Sequence, residues 1–97
     1  MKKIKVGIIG YGKIATKCHS DYYQNNKNKF DFKAVYDITP ARLQAAEQEH
    51  GVKGYSDIDN FLKSDLDLVV ICVPTADHCE LALKAVEAGK NVIIEKP

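Results

Sequence analysis

Five short runs rich in β-branched and apolar residues recur along this chain, and a stretch with helical spacing separates each from the next. No other feature narrows the fold as much. "KIKVGIIG" (Lys3–Gly10) is apolar enough to be a strand buried on both faces. Phe30 to Tyr36, Val52 to Tyr55, Leu66 to Val73 and Val92 to Ile94 read as the later strands.

The intervening stretches carry helix signals. Lys13 to about Tyr23 fits a helix with Ile14, Ala15, Cys18 and Tyr22 on one face. Thr39 is placed as an N-cap before Pro40 at the first helical position, Leu43 and Ala46 face inward, and Gly51 offers the stop. Ser56 and Asp59 have capping-box spacing, which predicts a short helix through Leu62. Asp77 and Glu80 have the same spacing, ahead of a helix lined by Leu81, Ala85 and Ala88 that stops at Gly89.

Strands that alternate with helices over short connections predict an α/β domain with a parallel sheet. Right-handed crossovers and double winding then give five strands in the order 3-2-1-4-5, with strand one in the centre. Ligands of such sheets bind outside the carboxyl ends of the strands, where the order reverses between strands one and four. A length of 97 residues makes this one domain, residues 1–97, with no repeat and no linker.

The first strand-to-helix turn reads "GYGKIA", Gly10 to Ala15, a G-x-G-x-x-A pattern. The first glycine permits the tight turn. The second lets a pyrophosphate approach the backbone, and a small third residue lets helix and strand pack. The helix start offers N–H groups and a positive dipole end to phosphate. Such a pattern is weak alone. It becomes specific where a strand precedes it and a helix follows. Gly10, Tyr11, Gly12, Lys13 and Ile14 are therefore the expected contacts to a dinucleotide.

Asp37 ends strand two, 22 residues after Ala15. An acidic residue about 20 residues beyond the glycines can accept hydrogen bonds from the adenosine ribose. A turn aspartate before "TP" is the blander reading; the glycines upstream favour the ribose. A carboxylate there favours NAD over NADP.

The remaining loops fall along the same edge. Pro74 and Thr75 follow strand four, and Glu95 and Lys96 follow strand five. Adjacent strands lie about 4.8 Å apart, so strands two to five span roughly 14 Å. An extended dinucleotide could cross that edge with adenosine at Asp37, nicotinamide near Pro74, and Lys96 beside the redox end. Lys96 also reads as a plain surface lysine before a proline. His78 has two readings, a bond to cofactor or substrate, or an ordinary first-turn helix residue.

Composition excludes other classes. Fourteen Lys and Arg against thirteen Asp and Glu leave no electrostatic footprint for nucleic acid or anionic membrane. The longest apolar run, Leu68 to Val73, is too short to span a bilayer. Lys5 interrupts the apolar start, which is not a signal peptide. Cys18, Cys72 and Cys79 are odd in number and lack C-x-x-C spacing, which predicts no disulfide framework and a reducing, cytoplasmic setting. The adjacent pairs Cys18–His19 and His78–Cys79 point in different directions on a helix, so no metal site is expected.

"VGIIGYGKIA", "VYD", "VVICVPTADH" and "ALKAVEAGKNVIIEKP" together resemble the N-terminal domain of the glucose–fructose oxidoreductase and inositol dehydrogenase family (Gfo/Idh/MocA) over nearly the whole chain. The E-K-P ending after a G-K-x-V strand is the most specific part, and Pro74 and His78 match the family's P-x-x-x-H loop. The resemblance implies a nicotinamide-dependent oxidoreductase that transfers a hydride between its cofactor and a sugar, polyol or related substrate. It implies that Lys96 contacts substrate and nicotinamide ribose and assists proton transfer. It implies a cis peptide at Pro97. Family members continue into a second domain that supplies most of the substrate pocket and an acid–base histidine, so "EKP" reads as a hinge. The chain alone is expected to bind cofactor without catalysis, and its fifth strand to be an edge open to self-association.

Two other classes compete. A stand-alone dinucleotide-binding module could serve sensing or assembly. A methyltransferase also has a glycine-rich first loop, but carries an acidic residue just before it, where this chain has Ile8 and Ile9.

Overall fold

The computed structural model describes residues 3–12, 21–73 and 78–94. Its elements are β1 (Ile4–Ile9), α1 (Asp21–Asn25), β2 (Phe30–Tyr36), α2 (Pro40–His50), β3 (Lys53–Tyr55), α3 (Ile58–Lys63), β4 (Leu68–Ile71), α4 (His78–Glu87) and β5 (Asn91–Ile94). All five strands are parallel and ordered β3-β2-β1-β4-β5, as the alternation predicts.

The three inner strands, β1, β2 and β4, send apolar side chains into the core on both faces of the sheet. Val6, Ile8, Val35 and Val70 pack on one face with Tyr11, Tyr23, Ala46 and Val52. Ile9, Ala34, Val69 and Ile71 pack on the other with Phe61, Leu62, Leu66 and Ala85. Burying a side chain such as Ile8 contributes about 1.5–3 kcal/mol. β1 carries the most constrained position. A Cβ at Gly7 would lie 2.6 Å from Leu66 Cδ1 and 2.7 Å from Phe61 Cζ, so glycine is what lets α3 press its phenylalanine onto the sheet. The β1–β2 register shifts between Val6 and Gly7.

Helix boundaries follow from local chemistry, with four departures from expectation. Tyr23, not Tyr22, turns inward, because the aromatic face of β2 receives it: its ring centroid lies 4.9 Å from Phe30 and 6.2 Å from Phe32. Thr39 is the N-cap of α2 but its side chain makes no capping bond, since Asp37 Oδ1 organises this turn by accepting the Thr39 N–H. α3 is capped by Asp57 rather than Ser56. The Asp57 carboxylate accepts from the N–H groups of Asp59 (2.9 Å) and Asn60 (3.4 Å), and a negative charge suits a helix N-terminus. Ala88 is exposed because α4 ends at Glu87, leaving Ala85 to face the sheet.

Gly51 closes α2 as expected, in the left-handed conformation. Lys90 has a structural task. Its Nζ donates to the carbonyls of Ser64 and Leu66, both at 3.0 Å, and so fastens the start of β5 to the segment entering β4. No helix among the described residues is long and apolar enough to cross a membrane.

Candidate functional site

The carboxyl ends of β2, β1 and β4 meet at one edge, where the switch in strand order opens a crevice. Backbone bonds continue past the strands and hold this edge together. The Gly10 N–H donates to the Tyr36 carbonyl at 2.7 Å, and the Cys72 N–H to the Ile9 carbonyl at 2.8 Å. A cleft of about 600 Å³ lies above them. It runs from Asp37, Ile38 and Arg42, past Gly10 and Gly12, to Cys72, Val73 and the first turns of α4. A few hundred to a thousand Å³ is the usual size for a small-molecule site.

The two glycines of the loop differ in what they serve. Gly10 has a φ of +90°, and a Cβ there would meet Val73 Cγ1 at 2.7 Å and the Cys72 carbonyl oxygen at 3.1 Å. The fold itself demands glycine at that position. Gly12 is the reverse. Among the described residues a Cβ there would meet nothing within 4 Å, and its φ lies outside the left-handed range. Nothing among the described residues fills the space that this glycine leaves open. Close approach of a phosphate to a loop backbone calls for such an opening.

Asp37 is the one buried charged residue among those described, at 4% exposure. Its Oδ2 accepts the Tyr11 N–H at 2.8 Å and its Oδ1 accepts the Thr39 N–H at 2.8 Å. Arg42 Nη1 stands 3.7 Å from Oδ2. The carboxylate thus ties the glycine loop to the start of α2. Each oxygen has a second lone pair, so it can still accept from a hydroxyl in the cleft.

The structure sorts the residues expected from sequence. Gly10, Gly12 and Asp37 line one cleft. Tyr11 belongs to the same loop, but its side chain is buried in the core and its hydroxyl bonds Glu49 at 2.6 Å. It does not reach into the cleft; what it offers a ligand is the position of the loop. Lys13, Ile14, Pro74, Thr75, Glu95, Lys96 and Pro97 lie outside the described residues, as does the side chain of His78, which opens α4. Sequence reasoning missed Arg42, Glu80 and Lys84, which also line the cleft. Arg42 was within reach of a spacing argument, because it falls in the first turn of the helix that Asp37 organises.

The arrangement is a cleft over glycine backbone, with the fixed carboxylate of Asp37 at one end and Cys72, Val73 and Leu81, joined by the charged Glu80 and Lys84, at the other. Residues 4–97 match the family model described as "Oxidoreductase family, NAD-binding Rossmann fold", GFO_IDH_MocA. The chain belongs to the Gfo/Idh/MocA family.

Relatives within it agree. The chain is 35% identical over 95 residues to the uncharacterized oxidoreductase YhhX of Escherichia coli, covering 97% of this chain and 28% of that protein. It is 35% identical over 96 residues to the D-glucoside 3-dehydrogenase of Escherichia coli, covering 97% of this chain and 27% of that one. The WlbA dehydrogenase of Chromobacterium violaceum, solved with NADH and UDP-GlcNAcA, superimposes with a TM-score of 0.92 at 31% identity, over 98% of this chain and 28% of that chain. The chain therefore spans under a third of the length of these Gfo/Idh/MocA relatives. It is an NAD-binding Rossmann domain of an oxidoreductase family.

Proposed function

We propose that this domain holds NAD across the cleft for an oxidoreductase that moves a hydride between the nicotinamide and a sugar, polyol or related substrate. One observation carries the reading. Among the described residues nothing fills the space left open at Gly12, which lines the same cleft as the buried carboxylate of Asp37. The relatives named for sugar substrates support the substrate class.

The roles follow from the sequence motifs and the family resemblance. Gly10 and Gly12, with Lys13 and Ile14 beyond them, receive the pyrophosphate. Asp37 accepts from the adenosine ribose, and Ile38, 81% exposed beside it, offers an apolar surface at that end. Its charge favours a free 2′-hydroxyl, hence NAD over NADP. Pro74, Thr75, His78 and Glu95 serve the nicotinamide half, and Lys96 assists the proton transfer that accompanies hydride transfer. The bound nicotinamide supplies the hydride chemistry. The domain's own contribution is to fix the dinucleotide and its orientation.

Catalysis requires a wall to hold the substrate, so the 97-residue chain alone binds cofactor without turnover. Self-association through the β5 edge and a cytoplasmic setting belong to the same proposal. They rest on the apolar exposure of Ile93 and Ile94 and on cysteines without disulfide spacing. Calorimetric titration with NAD tests the reading. Saturable one-site binding is expected, and an absence of heat at millimolar NAD would reject it.

A further inference from the structure

A loop with glycine on both sides of one residue is entropically costly to fix, because glycine loses more backbone freedom than any other residue. In "GYG" the one side chain available to anchor the loop is that of Tyr11. The structure uses it fully. The backbone N–H is held by Asp37 at 2.8 Å. The ring is 4% exposed and packs in a cluster with Val35, Ala46 and Val52, with His50 edge-on at a centroid distance of 6.3 Å. The hydroxyl donates to Glu49 Oε1 at 2.6 Å, joining positions 38 residues apart.

Glu49 is an unexpected partner. It lies in the last turn of α2, where the helix dipole disfavours a carboxylate. Among the described residues it has no cation partner that would offset this. What it does have is the Tyr11 hydroxyl. α2 is thereby tied to the loop at both ends, at its start through Thr39 and Asp37, and at its close through Glu49 and Tyr11.

We propose that Tyr11 and Glu49 form a latch that sets the glycine loop in its pyrophosphate-receiving shape before cofactor arrives. Both are positioning residues; neither side chain lines the cleft. The proposal rests on the dinucleotide reading of that cleft. Releasing the latch lowers the fraction of molecules with a competent loop, and apparent affinity falls by that fraction.

The test has two arms on the full chain. In the ligand-free protein, amide hydrogen exchange at Tyr11 and Gly12 is compared for wild type, Tyr11→Phe, Glu49→Ala and Glu49→Gln. Glutamine keeps an acceptor for the hydroxyl. Exchange rises in the first two variants and stays near wild type in the third. In the second arm, Tyr11→Phe and Glu49→Ala raise the Kd for NAD about five- to tenfold if the competent fraction falls to about 0.1–0.2, and Glu49→Gln changes it by less than about twofold. Adenosine, which lacks the pyrophosphate, binds all four proteins alike, and the double variant is no weaker than either single one. Unchanged exchange in Tyr11→Phe and Glu49→Ala overturns the latch whatever the binding data show. Raised exchange with unchanged NAD affinity overturns its role in positioning. A wild-type chain that does not bind NAD, with exchange still moving as stated, overturns the cofactor reading and leaves the latch in place.

Discussion

The carboxylate of Asp37 accepts the backbone N–H of Tyr11 at 2.8 Å, joining the end of the second strand to the loop after the first across 26 positions of sequence. One buried acid thus shapes the glycine loop and also lines the cleft. Removing it has two separable effects.

Asp37→Ser frees Arg42 from its partner 3.7 Å away and removes the repulsion toward a 2′-phosphate. Opposite or like charges about 4 Å apart at an effective dielectric near 20 interact by about 4 kcal/mol before screening, so a preference of at least about tenfold for NAD in the wild type is expected. In Asp37→Ser the NAD-to-NADP preference narrows toward unity, while NAD binding itself weakens because the loop loses an acceptor. Calorimetry with both cofactors measures both changes. Equal affinities in the wild type would reject the assignment of Asp37.

The two edges of the sheet are managed differently. At β3, a strand of three residues, the Gly54 N–H donates to Glu47 Oε2 at 3.1 Å, and Lys53 adds a charge. Among the described residues β5 has neither device. Ile93 and Ile94 are 42% and 48% exposed, next to an α4 that exposes Leu83 and Val86. Bare apolar edges pair with other chains. Light scattering over a concentration series should show the apparent mass of the 97-residue chain rising, and Ile93→Lys should suppress the rise. A strictly monomeric protein at high concentration would contradict this.

The fold was almost fully legible, because contiguous apolar runs set the strands and their alternation with helices set the order. What stayed hidden depended on partners distant in sequence. Tyr22 and Tyr23 are indistinguishable until Phe30 and Phe32 define the face that α1 meets. Ser56 has capping-box spacing to Asp59, yet it is the Asp57 carboxylate that accepts the first-turn N–H groups. At the site, Asp37 followed from its distance to the glycines. Glu49 could not, since nothing local links a residue at the end of α2 to a loop 38 positions earlier. Lys90 looks like a family signature in "GKNV" and proves to be a clamp on two carbonyls.

Assayed alone with NAD and a panel of polyols and sugars, the chain should show no turnover above background. Positioning a substrate supplies about 7–11 kcal/mol in favourable cases, and a placed acid or base roughly 10²–10⁴-fold. A single lysine, by itself, provides little of either. Turnover that disappears in Lys96→Ala would show that this chain is an enzyme by itself.

The claim that the Gly10–Gly12 loop receives a pyrophosphate is tested most directly by Gly12→Ala. A Cβ at this position meets no described residue within 4 Å, so the variant should fold with an unchanged melting midpoint. Its NAD affinity, measured by calorimetry against wild type, should fall about tenfold or more, because a close charge-assisted contact is worth about 1.5–3 kcal/mol. An NAD affinity equal to wild type in a folded Gly12→Ala protein would contradict a phosphate at this loop.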